Sequence, residues 1–292
     1  MKITVFTPTF NRGYIIEQLY KSLKEQTYKN FEWLVIDDGS TDNTEDLFNL
    51  WKAEKNEFTI RYYKVENGGK HRAINKATDL AKGELFFIVD SDDQLVNVAL
   101  EDVVSWEKTI ENKRYFCGIA GNRGRNDNEI HGTSFIGEYK DATSLERNKF
   151  NITGDKAEVF YTEILRKYKF DEIEGEKFIT EATVWDRMAY DGYKIRWFNK
   201  TIYICEYLED GLTKNMTQVF ARNPKGTAIY IKQQIKFYNY NLKGKLANYN
   251  LYYNFVKSNI NLLKAAKLLD IHPIVLYFAI FLFKSKSLIH ER

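Results

Sequence analysis

The 292-residue chain is poor in cysteine and proline, with 2 and 3 residues respectively. Cys117 and Cys205 are too few for a disulfide framework and lack metal-ligand spacing, so they fit a reducing compartment. No GxxxxGK[ST] segment occurs, which excludes a P-loop, and no GxGxxG segment occurs, which argues against a dinucleotide cofactor. His71, His131, His272 and His290 are scattered and form no pattern with cysteine or carboxylate, so no zinc site is expected. The longest unbroken apolar run, residues 274–283, is half of the roughly 20 residues that span a bilayer. The start, MKITVFTPTFNRG, turns polar after five apolar-leaning residues and does not read as a signal peptide. The expectation is a cytoplasmic protein that crosses no membrane.

What is present fits a globular chain: 44% hydrophobic and 28% charged residues. The length suits one large domain, or a catalytic domain with an appendage. A net charge of +3 conceals an asymmetry. Residues 214–292 carry 13 Lys and Arg against Asp270 and Glu291, a balance of +11, and the rest of the chain stands at −8. A basic tail on a mildly acidic body suggests contact with an anionic surface, although a solvated lysine-rich helical face has the same composition. Tyrosines and asparagines lie among these lysines, but no RNA-binding motif accompanies them, and no nucleic-acid partner is expected.

The first 120 residues alternate regularly between strand and helix patterns. Strands are expected at 3–7, 32–36, 58–65, 85–89 and 115–120, with helices at 14–26, 43–51, 71–81 and 99–111. Such alternation is the signature of an α/β fold with a mostly parallel sheet flanked by helices, whose ligands bind beyond the carboxyl ends of the strands. Residues 121–150 read as a polar loop or hairpin. Beyond them, 157–168 and 180–190 read as helical, and 195–198 and 202–205 as strands. After Asn223 and Pro224 the chain reads as helical to its end.

The chemistry-bearing residues fall at the expected strand ends. Thr7, Pro8, Thr9, Phe10, Asn11 and Arg12 put a polar turn and a cation before a helix N-terminus, an arrangement that suits an anion but equally a simple cap. Asp37 and Asp38 open a DDGSTD turn; a carboxylate there can accept from a base or a ribose, and turn chemistry explains the run as well. Gly68 and Gly69 allow close backbone approach to a ligand, and Lys70 and Arg72 add positive charge. Asp90, Ser91, Asp92 and Asp93 follow a buried apolar run. Carboxylates so close repel one another, and a hard divalent cation such as Mg²⁺ or Mn²⁺ would relieve that repulsion.

TPTFNR, DDGSTD, NGGKHRAINKA and GELFFIVDSDD, in this order and spacing, resemble the family 2 inverting glycosyltransferases of polysaccharide-biosynthesis type, which have the GT-A fold. The likeness is specific over residues 1–120 and looser to about 215. It implies transfer of a sugar from a nucleotide donor, a UDP-sugar above all, to a glycan or lipid-linked oligosaccharide acceptor of cell-surface polysaccharide synthesis. By the resemblance, Pro8, Thr9, Phe10, Asn11, Arg12, Asp38, Gly68, Lys70, Asp90 and Ser91 would hold the nucleotide, with Asp38 on the base. Asp92, helped by Asp90, would carry Mn²⁺ or Mg²⁺. Glu181 matches the position of the general base, with Glu176 as its nearest alternative. Asp93, Asp155, Glu176 and Arg187 would meet donor or acceptor sugar, and the turn of Asp210, Gly211, Leu212 and Thr213 would close over the diphosphate.

The QxxRW motif of processive relatives is missing, because Tyr193 stands three residues before Arg196 and Trp197. The organisation implied is a nucleotide-sugar half over 1–120, an acceptor and base half over 121–222, and a basic helical region over 223–292. That region would hold the protein peripherally on the inner face of an anionic membrane, or support a homo-oligomer. The rivals are a catalytically silent sugar-nucleotide-binding scaffold and a sugar-phosphate nucleotidyltransferase, though the latter's glycine-rich loop is absent.

Overall fold

The computed structural model describes residues 1–126, 129–205 and 215–287, without the side chains of 284–287. The chain forms two compact units. The first comprises the described residues within Met1–Lys169 and Arg187–Glu206, the second those within Phe170–Asp186 and Tyr207–Arg292.

The first unit is a ten-stranded sheet with helices. Its opening half alternates β1 (Ile3–Thr9), α1 (Glu17–Lys24), β2 (Phe31–Asp37), α2 (Thr44–Ala53), β3 (Thr59–Lys64), α3 (Lys70–Leu80), β4 (Leu85–Ile88), the short β5 (Gln94–Leu95) and α4 (Ala99–Lys108). The rest is β6 (Phe116–Asn126), β7 (Glu129–Ile130), β8 (Tyr139–Ala142), β9 (Lys156–Tyr161), the single turn α5 (Thr162–Leu165), the last part of α6 (Ala182–Tyr190) and β10 (Lys194–Ile204). The sheet runs β3-β2-β1-β4-β9-β6-β10-β5, with β7 on β6 and β8 on β10. β1, β2, β3, β4, β6 and β10 share one direction, and β9 runs against its neighbours β4 and β6. The sheet is thus mostly parallel.

Burial explains this order. Every residue of β2 and of β4 is buried, as a central parallel strand covered on both faces requires. Phe6, Trp33, Phe86, Phe87, Phe160, Trp197 and Tyr203 lose essentially all exposure, each side chain contributing about 1.5–3 kcal/mol of burial. Pro8 is tolerated in β1 because the ladder to β4 has already ended at Phe6, so its missing N–H breaks no bond on that side.

Two expectations are corrected and a third is narrowed. Residues 157–168 are not helical: β9 occupies 156–161 and only one helical turn follows. Val159, Phe160 and Tyr161 favour a strand, and β4 and β6 present open ladders on both sides of them. The fit is close, since a Cβ on Gly118 would stand 2.1 Å from the carbonyl oxygen of Val159. Residues 195–198 and 202–205 are not two strands, because β10 passes through both with a register irregularity between Trp197 and Thr201. The polar stretch after residue 120 is the hairpin half of its expectation, with β6 continuing to Asn126 and β7 returning against it.

The second unit is helical. It holds the first part of α6 and then α7 (Met216–Arg222), α8 (Pro224–Phe237), α9 (Leu242–Val256), α10 (Leu262–Leu268) and α11 (Pro273–Ser287). The helices begin at Met216, before the Asn-Pro pair. Ile231, Tyr252, Val256, Ala265, Ala266, Leu269 and Leu276 form their shared core. Asn241 and Asn261 cap α9 and α10 by accepting from the N–H groups of Gly244 and Lys264.

Candidate active site

The carboxyl ends of β1 and β2 are tied into one loop system. Asn11, held at φ +52°, donates its N–H to Ser40 Oγ at 2.8 Å, and its Oδ1 accepts from the Thr41 N–H at 2.8 Å. The Asp38 N–H donates to Thr9 O at 2.8 Å, and the Gly13 N–H to Asp42 Oδ2 at 2.9 Å. Phe10 is half-exposed in this loop. Thr9 is buried, and its hydroxyl has no hydrogen-bond partner.

The two aspartates of the second strand end have different tasks. Asp37, fully buried, accepts from the Ser40 N–H at 2.7 Å and from the Tyr62 hydroxyl. Burial first, and then that carboxylate, push the Tyr62 hydroxyl far above its usual range. Asp38 shapes the next loop: its carboxylate accepts from the N–H groups of Gly68 at 2.7 Å and Gly69 at 2.8 Å, and from Asn67 Nδ2 at 3.1 Å. Gly69, at φ +97°, takes a backbone conformation open chiefly to glycine and starts α3, so that Lys70 is its first helical residue.

At the end of β4 the charges converge. Lys70 Nζ lies 2.5 Å from Asp90 Oδ1, and Arg123 Nη1 lies 3.6 Å from Asp90 Oδ2. Burial would raise the Asp90 carboxyl, but Lys70 and Arg123 outweigh it and hold the group below the usual carboxylate range. The Asp90 N–H donates to Tyr203 Oη at 2.9 Å, and that hydroxyl donates to Asp93 Oδ2 at 2.7 Å. The Arg123 guanidinium lies 4.2 Å from the Tyr203 ring centroid and donates to Lys156 O at 2.8 Å. Burial and the charge of Asp90 push the Asp93 carboxyl up to about 8, against the Tyr203 hydrogen bond. Ser91 is buried between them in sequence.

Asp92 is placed differently. Its nearest recorded cation is Arg12, at 4.0 Å, and burial with the neighbouring Asp90 raises its carboxyl. Among the described residues no three His, Cys, Asp or Glu side chains gather as a cage. A hard divalent ion held here would need further oxygen ligands, such as those of a diphosphate. Asp92 is the carboxylate whose charge such an ion would compensate, while Asp90 is engaged by Lys70 and Arg123.

Arg123 and Tyr203 were not singled out from the sequence. Arg123 sits in the polar stretch that reads as a loop, and only the extension of β6 through it brings its side chain to Asp90.

The remaining candidates lie apart from this turn in sequence. Asp155 is exposed after Gly154, which has φ +74°, at the start of β9. Arg187 donates to the backbone oxygen of Lys169. In the second unit Glu176 is 6% exposed, and its two oxygens accept from the Lys225 and Gly226 N–H groups, each at 2.8 Å. Those are among the first amides of α8, where an anion is favoured, so Glu176 is a helix cap. Glu181 directly precedes the helical residues of α6, and its carbonyl accepts from the N–H groups of Val184 at 2.9 Å and Trp185 at 3.1 Å. The turn of Asp210, Gly211, Leu212 and Thr213 lies outside the described residues.

The model of glycosyl transferase family 2 matches residues 4–172. The GalNAc(5)-diNAcBac-PP-undecaprenol beta-1,3-glucosyltransferase of Campylobacter jejuni is 29% identical over 190 residues, 63% of this chain and 58% of that protein. Glycosyltransferase GlyG of Streptococcus pneumoniae is 28% identical over 215 residues, 69% of each. The Staphylococcus aureus poly(ribitol-phosphate) beta-N-acetylglucosaminyltransferase TarP is 34% identical over 126 residues, 42% of this chain and 38% of that one. The aligned part of the chain thus spans between 38% and 69% of these relatives' lengths. Among solved structures, S. aureus TarS with UDP-GlcNAc superposes with a TM-score of 0.64 at 20% identity, over 90% of this chain and 76% of that one. The Pyrobaculum calidifontis mannosyltransferase PcManGT, in complex with GDP-Man and Mn²⁺, superposes with a TM-score of 0.57 at 18% identity, over 95% of this chain and 73% of that one. At these identities the superpositions establish a shared fold.

Proposed function

The chain belongs to glycosyl transferase family 2, with a GT-A type fold, and we propose that it transfers one sugar with inversion from a UDP-sugar to a glycan or lipid-linked acceptor of cell-surface polysaccharide synthesis. The observation that carries this reading is the turn Asp90, Ser91, Asp92, Asp93 at the carboxyl end of β4, ringed by Arg12, Lys70 and Arg123. The uridine preference is supported by TarS, solved with UDP-GlcNAc and with UDP, and a metal by the Mn²⁺ of PcManGT. A glycan acceptor is supported by the names of the Campylobacter and staphylococcal relatives.

In this reading the interlocked loops of Thr9 to Arg12 and Asp38 to Asp42 form a floor for the nucleoside. Asp38 serves it indirectly as well, by fixing the Gly68 and Gly69 amides. Lys70 and Arg12 face a diphosphate with positive charge, and Asp92, helped by Asp90, would hold the ion. Mn²⁺ or Mg²⁺, when bound, neutralises charge developing on the leaving diphosphate. The acceptor oxygen forms its bond to the anomeric carbon as the bond from that carbon to the phosphate oxygen breaks, and Glu181 takes the acceptor's proton. Glu176 is set aside as base because both its oxygens cap α8.

A panel of UDP-, GDP- and dTDP-sugars scored by thermal shift with Mn²⁺ tests the assignment. The correct donor raises the midpoint by mass action. No shift with any donor would defeat the reading, and a shift without nucleotide release in the presence of acceptor would leave a binding scaffold instead. The reading also includes peripheral contact of the basic C-terminal segment with an anionic membrane.

A further inference from the structure

Helix α11 is apolar on two sides. Leu276 and Ala279 turn inward and are buried, Leu276 within the core of the helical unit. Ile274, Tyr277 and Phe278 turn outward, 69%, 64% and 52% exposed, with Val275 at their edge. Positions 274, 277 and 278 are i, i+3 and i+4, so they form one stripe on one helix face. The outer face of a helix in water is ordinarily polar, and residues 273–283 contain no charged side chain. On α10, Leu263, 65% exposed, stands beside the exposed Lys264 and Lys267. The one acidic residue of these two helices and their link, Asp270, pairs with Lys232 at 2.8 Å.

We propose that the stripe of Ile274, Tyr277 and Phe278, together with the exposed Leu263, Lys264 and Lys267 of α10, seats the protein in the headgroup layer of an anionic bilayer. The inference deepens the membrane contact of the functional reading and rests on it. An occupant must be apolar opposite the stripe and negative opposite the lysines. A second copy meets only the first demand, because it would set one segment of charge +11 against another. A bilayer interface of anionic lipid meets both. Among the described residues no single helix is long and apolar enough to cross a membrane, and α10 and α11 are bent by 108° at their junction. At about 1.5 Å per residue α11 is shorter than the roughly 30 Å hydrocarbon layer, so it lies in the interface plane.

Co-sedimentation of the full chain with phosphatidylcholine vesicles, with and without phosphatidylglycerol, tests this. Binding is expected only with phosphatidylglycerol and weakens as salt rises. The double variant Ile274→Ser/Phe278→Ser should lower partitioning by about tenfold or more, and Lys264→Glu/Lys267→Glu should weaken it at low salt. In Phe278→Trp the added fluorescence should be quenched by brominated lipid. Equal binding to neutral vesicles, no binding to anionic ones, wild-type partitioning of the serine variant, or a dimer dissolved by those serines without vesicle binding would each overturn the proposal. UDP binding is measured on the same variants and should stay at the wild-type level; if it does while vesicle binding fails, the membrane face is wrong and the transferase reading stands.

Discussion

The two units use charge in opposite ways. In the sheet unit the charged groups at the strand ends turn inward on one another: Asp38 holds the Gly68 and Gly69 amides, Lys70 and Arg123 grip Asp90, and Tyr203 links Asp90 to Asp93. In the helical unit lysines face outward beside uncovered Ile, Tyr and Phe side chains. On the function proposed above, the first arrangement would serve as a preorganised receptor for a small polyanion, its dipoles and cations fixed before the ligand arrives. In the second, exposed lysines such as Lys264 and Lys267 accompany the ion pair of Lys232 with Asp270 and suit an extended surface. On the proposed reading, a soluble donor and an acceptor in a membrane plane would call for these two designs in one chain.

The sharpest way to break the comparison is at Glu181. Glu181→Gln keeps size and hydrogen bonding but cannot take a proton, so transfer to acceptor should fall by about 10²–10⁴-fold. UDP affinity, followed by calorimetry, should stay at the wild-type value. Normal transfer by this variant would show that Glu181 is not the base.

Glu176 sharpens the same comparison through stability. Glu176→Gln replaces one of two accepting oxygens by an amide that cannot accept from the α8 amides, which should cost about 1–2 kcal/mol in chemical denaturation. Transfer at a temperature where the variant is folded should change little. A dead but fully stable Glu176→Gln would exchange the roles of the two glutamates.

The smallest effect concerns Asp93. Its folded carboxyl titrates near 8, above its unfolded value, so between those values the folded state binds the proton more tightly. Folding stability in metal-free buffer should therefore decline as pH rises from about 5 towards 8, a component that Asp93→Asn flattens. Denaturation midpoints across that range measure it; identical pH slopes for both proteins would show that Asp93 is not held protonated.

Legibility followed the range of the interactions. Through residue 111 each strand and helix except the two-residue β5 carries its own period, and the structure shifts the expected ends by a few residues. Asp90 and Lys70 were each legible as strand-end candidates, because strand ends of a parallel sheet converge, but their ion pair with one another was not. β9 was not, because Val159, Phe160 and Tyr161 become a strand through ladders to β4 and β6, which lie far away in sequence. Arg123 and Tyr203 were missed for the same reason: one lies in a stretch that reads as loop, the other in a strand with no motif, and only the pairing of β6 with β10 brings them together. Glu176 carried a motif's appearance, and its capping role depends on α8, some fifty residues onward.

On the proposed reading, Asp92 is the carboxylate that couples metal to nucleotide. Calorimetric titration of UDP into the wild-type protein and into Asp92→Asn, each with and without Mn²⁺, reads that coupling directly. Mn²⁺ should tighten UDP binding by about tenfold or more in the wild type and scarcely at all in Asp92→Asn, whose metal-free affinity should match that of the wild type. Equal UDP affinity with and without Mn²⁺ in the wild type, or an undiminished Mn²⁺ effect in Asp92→Asn, would contradict it.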